Sequence, residues 1–281
     1  MAWLIIDNGS KQPEPNPNPP ASATPDNPDG EEVVELDIND ELVQRLYQPF
    51  TVVTNSHFQL PLCGDDTSDD TREQCLRSGK LTVAFLNTPE IPCKATIENN
   101  GLIERYGDFI VSSWGDEQRK DVEKCTDGAA VRNQYEKLFG EKIELVGFDN
   151  FEVQGVQDSI FTYSYSPTYD EFYYNLGGAS LPTSYKRILS RAERDAEKVY
   201  LYEQIHPFAC WSDNEENICQ VNGLESGEEL VRWKSDEILD GGSDDKIFLE
   251  KVGTDENMVK WTFAKTPEGG YVFEKLEKIE E

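Results

Sequence analysis

The chain has 281 residues, 37% hydrophobic and 11% aromatic, which is enough apolar material for a packed core in one large domain or two small ones. Against 26 basic residues stand 55 acidic ones, a formal charge of −29 that repels nucleic acid and anionic lipid and leaves no basic stripe for phosphate, so nucleic-acid binding is excluded. No run of 18 apolar residues occurs, which excludes a complete membrane span within this sequence.

Ala2, Trp3, Leu4, Ile5 and Ile6 open the chain, too short a stretch for a signal-peptide core and without a basic flank or a small-residue cleavage site. Two readings stand: an incidental start, or the last turns of a transmembrane helix that begins upstream of Met1. The second is preferred, so residues 1–7 are assigned to the stub of a membrane anchor, and contact with a membrane is expected only through that anchor. Residues 8–31 hold seven prolines among Asn, Asp, Ser and Gly. Such a tract cannot offset its ordering entropy and reads as a disordered, semi-rigid stalk.

Residues 32–281 are expected to form a single α+β domain, with a helical subregion over 32–142 and a β-rich one over 143–281. Its first element is a short strand through Val33, Val34, Leu36 and Ile38. Asn39 or Asp40 then caps a helix that carries Leu42, Val43, Leu46 and Tyr47 on one face and is ended by Pro49. A second short helix is predicted at "KLTVAFLNTPE", stopped before Pro89. The third, "GAAVRNQYEKLFG", shows the clearest stripe, Val131, Tyr135, Leu138 and Phe139, with Gly140 as its C-terminal stop.

From residue 143 onward the period changes to two. "KIELVGFDNFEV", "SIFTYSY", "YKRILSRAERD", "EKVYLYEQI", "KIFLEKV", "MVKWTFAKT" and "YVFEKLEKI" alternate or run apolar between turn residues. "RILSRAERDAEKVYLYEQ" is predicted as one hairpin. A second spans "MVKWTFAKTPEGGYVFEKLEKI", with Pro267, Glu268, Gly269 and Gly270 as its turn and Trp261 on the core face. Short N-terminal helices followed by a curved antiparallel sheet with a helix packed on it is the expected layout. No fixed-period repeat is present, which removes solenoids and propellers.

Six cysteines, Cys63, Cys75, Cys93, Cys125, Cys210 and Cys219, contain no C-x-x-C pair, which argues against a zinc site or a redox centre. Cys63 with Cys75 and Cys210 with Cys219 each bracket a polar, acidic stretch read as a loop pinned by a short disulfide, leaving Cys93 for Cys125. This connectivity is preferred on loop length, with six reduced thiols as the other reading. An oxidising, exported setting follows from it.

His57 and His206 are the only histidines and neither sits in a ligand spacing, so both are read as structural. There is no G-x-S-x-G, no Gly-rich phosphate loop and no cysteine with a histidine partner in sequence. With 55 acidic residues a carboxylate pair at hydrolase spacing arises by chance, and "CGDDTSDDTRE" and "DGGSDD" depart from the calcium-loop pattern. No catalytic residue, metal or cofactor is assigned. The most distinctive run is "SIFTYSYSPTYDEFYYNLGG". Phe161, Tyr163 and Tyr165 share one face of a strand, and Tyr169, Phe172 and Tyr173 fall on a helical turn after Pro167. Tyr163, Tyr165, Tyr169 and Tyr173 beside Asp170, Glu171 and Asn175 suit a sugar-stacking or peptide-binding surface, but they also suit a sheet–helix core, which is the preferred reading.

With the stalk, the helix ending in "KLFG", the segment "FTYSYSPTYDEFYY" and the two hairpins in view, the layout over roughly residues 33–281 resembles uncharacterised, stalked, membrane-anchored or lipoprotein-like surface proteins of low-GC Gram-positive gut bacteria. That resemblance implies an extracellular, cell-surface location and transfers no functional residues. The helix followed by long curled strands is also similar in topology to NTF2-like and cystatin-like folds. The expected function is a non-enzymatic surface module that binds another protein or cell-wall glycan. The alternative is a carboxylate-based hydrolase in the pocket of an NTF2-like cone.

Overall fold

The alternating pattern of the second half becomes long antiparallel strands. The computed structural model describes residues 33–51, 69–115, 122–147, 149–154, 160–175, 184–213, 216–223, 227–235, 252 and 257–279. The stub, the stalk, Cys63, His57, "DGGSDD" and all of "KIFLEKV" except Val252 lie outside those residues. The described elements belong to one unit, Glu32–Glu281. The described residues are mixed in class, about 30% helix and 42% strand, with antiparallel sheets that do not close.

Strand β1 (Val34–Leu36) leads into α1 (Glu41–Thr51), where Asp40 Oδ1 accepts from the Leu42 amide at 2.8 Å and so caps the first turn. Pro49 lies inside α1 rather than ending it. In the last turn proline forfeits only one backbone bond, and the next residue, Phe50, is buried at the centre of the core and holds that turn in place. Helix α2 (Asp69–Leu86) starts well before the predicted Lys80 and takes in Asp69–Cys75, which the sequence presents as loop. Asn87 Nδ2 closes its C-terminal end by donating to the Val83 and Pro49 carbonyls, at 2.9 and 2.7 Å.

Then follow β2 (Glu90–Pro92), α3 (Gly101–Tyr106), α4 (Asp108–Ser113), β3 (Lys124–Asp127) and α5 (Gly128–Phe139). Asp127 caps α5 through the Ala130 amide at 2.9 Å, and Gly140 ends it in the left-handed region at φ 69°. The remaining strands are β4 (Asn150–Gln154), β5 (Ile160–Ser166), β6 (Glu171–Asn175), β7 (Ser184–Arg194), β8 (Lys198–Asp213), β9 (Glu216–Asn222), β10 (Glu229–Ser235), β11 (Met258–Lys265) and β12 (Tyr271–Lys278). Phe172 and Tyr173 are therefore in a strand, not on a helical turn. The turn is confined to residues 167–170, and "CWSDNEENIC" joins two paired strands rather than closing a loop.

The strands divide between two sheets. One has seven strands in the order β1-β7-β8-β11-β12, with β9 added to the far half of β8 and β10 to β9. The other runs β2-β3-β6-β5-β4 and draws strands from both sides of residue 142. Sixteen residues make β8 long enough to pair with β11 through its first half and β9 through its second, so a single strand carries two neighbours on one edge.

Both sheets and helices α1, α2 and α5 contribute to one hydrophobic cluster. Trp261 is fully buried there, its ring 5.0 Å from Phe50 and 5.9 Å from Phe273. A side chain of this size contributes roughly 1.5–3 kcal/mol by burial alone. Cys93–Cys125 ties the residue that follows β2 to β3, and Cys210–Cys219 bridges directly opposed positions of β8 and β9. The Cys63–Cys75 pairing falls outside the described residues.

Candidate functional site

The turn between β5 and β6 gathers charged groups around two of the singled-out tyrosines. Asp170 is held at φ 51°, in the left-handed region, because its carbonyl accepts the Gly128 amide at 2.9 Å while its carboxylate takes both terminal nitrogens of Arg132, at 2.8 and 2.7 Å. The Tyr165 hydroxyl donates to the same carboxylate at 2.7 Å. Only glycine fits at 128, since a Cβ there would lie 2.2 Å from Asp170 Oδ1. Alongside, Lys94 Nζ donates to Asp127 at 2.8 Å and to the Tyr169 carbonyl at 3.0 Å.

Behind this half-exposed layer, Glu171 is fully buried. It accepts the Lys94 and Ala95 amides at 2.8 and 3.2 Å and pairs with Arg105 at 2.5 Å. The Arg105 guanidinium is stacked 4.2 Å from the Tyr173 ring centre and 5.1 Å from that of Tyr169. Cys93, Cys125 and Glu171 place their ligand atoms within 4.8 Å of one another. The two sulfurs are bonded to each other, so neither is a thiolate available to a metal.

The hydrogen bond from Lys94 holds the Asp127 carboxyl below its ordinary pKa, and the bonds from Arg132 do the same for Asp170. Lys94 and Arg132 are raised by the same contacts. These groups stay ionised at neutral pH, and an ionised carboxylate has no proton to deliver as a general acid.

The four tyrosines do not share one surface. Tyr165 is buried, cross-strand from Phe172, and Tyr163 stacks on Phe85 of α2 with ring centres 4.8 Å apart. Tyr169 and Tyr173 instead bracket Arg105 with the disulfide beside them. Asn175 is exposed and bonds Ser164 Oγ at 3.0 Å.

A second buried carboxylate lies in the main core. Glu203 takes Arg187 Nε and Nη2 at 2.7 and 2.8 Å, the Trp261 indole at 2.8 Å and the Tyr47 hydroxyl, while Arg187 also donates to the Phe50 carbonyl. His206 is fully buried as well, its Nδ1 3.4 Å from Asn257 Nδ2, and burial pushes its pKa down to about 4.

On the opposite face of the seven-stranded sheet, cross-strand partners form two rows. One reads Glu193, Tyr200, Thr262, Lys275 from β7 to β12. The next reads Arg191, Tyr202, Lys260, Glu277. The Tyr200 hydroxyl donates to Asp195 and that of Tyr202 to Glu193, both at 2.8 Å. Sequence reasoning took "VYLYEQ" only as a hairpin strand. The signal was two tyrosines two residues apart, out of step with Val199 and Leu201, which places them on the face away from the core. Among the described residues no helix is long and apolar enough to cross a membrane. Compared with known protein families, curated proteins and solved structures, the chain matches none.

Proposed function

We propose that the chain is a non-enzymatic extracellular module, with N-terminal helices preceding the curved sheet, that binds another protein or cell-wall glycan at a bacterial surface. The observation that carries this reading is the use made of the buried carboxylates. Glu171 and Glu203 are each paired with an arginine and saturated by further donors, which makes them braces of the fold rather than groups poised for proton transfer. Asp127 and Asp170 are held ionised by Lys94 and Arg132. The Cys93–Cys125 and Cys210–Cys219 disulfides suit an oxidising compartment.

The test is co-sedimentation of the full chain with envelopes of a low-GC Gram-positive bacterium, with soluble sugar and amine release measured in the same tubes. Retention without release is the expected result. Release of fragments that depends on Glu171 or Glu203 would establish the carboxylate-based hydrolase instead.

A further inference from the structure

We propose that the outer face of the seven-stranded sheet, centred on Tyr200 and Tyr202, is a platform for an uncharged polysaccharide chain. The proposal rests on the surface-module reading and names its binding face. Tyr200 and Tyr202 stand two residues apart on β8, about 6.6 Å along the strand, on a face four strands wide. Each ring is fixed by its hydroxyl, through Asp195 and Glu193, so little rotamer freedom remains to be lost when a ligand stacks on it. Burial pushes the Tyr202 pKa up to about 12, so its hydroxyl remains a donor across the physiological range.

Charge selects the occupant. Arg191, Lys198, Lys260 and Lys275 stand against Glu35, Glu193, Asp195, Glu274 and Glu277 on this face, four cations to five carboxylates and so close to balance, whereas the whole chain carries −29. A balanced field neither attracts a polyanion nor a strongly basic protein, and it presents to sugar hydroxyls both donors and acceptors. The two rows contain no aliphatic side chain, so the dry apolar centre on which protein interfaces depend is missing from them. Thr262 supplies an independent sign: it is 1% exposed in the row of Tyr200, and its Oγ1 has no hydrogen-bond partner among the described residues. Arg191 lies 3.9 Å over the Tyr202 ring and Lys260 5.3 Å over that of Tyr200. Such contacts are weak where water reaches the cation. A pyranose C–H face displaces them, and the freed donors turn to its hydroxyls.

The experiment measures retention of the full chain on Gram-positive envelopes that have been digested with protease and then stripped of anionic polymers. Retention should survive both treatments and persist in roughly 0.5 M salt. The double variant Tyr200→Ser, Tyr202→Ser should bind at least about ten-fold more weakly. Tyr200→Phe, Tyr202→Phe keeps both rings and should bind as the parent does, which controls for loss of fold. Retention destroyed by protease, or equal in the serine variant, or lost as far in the phenylalanine variant, would each overturn the platform while leaving a surface-binding module intact. A parent chain that binds neither treated nor untreated envelopes would overturn the underlying reading as well.

Discussion

The inner face of β8 sends Leu201, Glu203 and Ile205 into the core, and its outer face, one residue out of step, carries Tyr200 and Tyr202. Both faces combine tyrosine, carboxylate and cation. Inside, Tyr47, Arg187 and Trp261 converge on Glu203 with no water to compete, so every partner is needed. Outside, Tyr202, Glu193 and Arg191 meet where water competes, and under the proposal a ligand replaces the same contacts. The strand's alternation thus separates a bracing role from the proposed recognition role within one run of six residues.

The largest effect is expected inside. Trp261→Ala should cost about 3–5 kcal/mol in a urea or thermal melt, through lost burial, the cavity left beside Phe50 and the unmade bond to Glu203. A cost near zero would mean that the closing hairpin is not part of the core. Glu203→Leu strands the Arg187 cation and should cost a similar amount, about 3–5 kcal/mol. Adding Arg187→Met should recover much of that loss. Failure of the double variant to recover would show that the pair does more than neutralise itself.

His206 sharpens the comparison with pH. Its folded pKa of about 4 lies below the unfolded value of 6.5, so between those limits the unfolded chain binds more protons and stability falls as pH falls. The full loss by pH 4 is about 3 kcal/mol, and none of it is expected above pH 6.5. His206→Gln should abolish that slope in melts taken from pH 4 to 7. A slope unchanged in the variant would assign it to other groups. Smallest of all, Lys198→Ala removes the half-exposed ion pair to Glu274 at 2.8 Å and should change stability by less than about 1 kcal/mol.

How much of this was legible follows from the range of each cause. The closing hairpin and α5 are written locally: Trp261 and Phe263 alternate with outward residues up to the Pro267–Gly270 turn, and Asp127 and Gly140 mark the helix ends. β6 was hidden because Pro167 and the density of aromatics after it imitate a helical turn, and only pairing with β3 and β5 makes it a strand. β9 was hidden by its own cysteine, which drew "CWSDNEENIC" into a loop although Cys219 and Val221 are both fully buried. The buried pairs were not legible at all. Arg105 and Glu171 are 66 residues apart, and nothing in a chain with 55 acidic residues marks the two that lose contact with water. The tyrosines of β5 and β6 attracted notice by clustering, whereas Tyr200 and Tyr202 announce themselves only through the side of the strand they occupy.

Separation of the two faces is the central claim, and envelope retention of Glu203→Gln compared with Tyr200→Ser, Tyr202→Ser tests it most directly, at a temperature where both variants give folded circular-dichroism spectra. The account predicts parental retention for Glu203→Gln despite a lowered melting temperature, and lost retention for the tyrosine variant with a melting temperature near that of the parent. Folded Glu203→Gln that fails to bind, beside a tyrosine variant that binds normally, would contradict it.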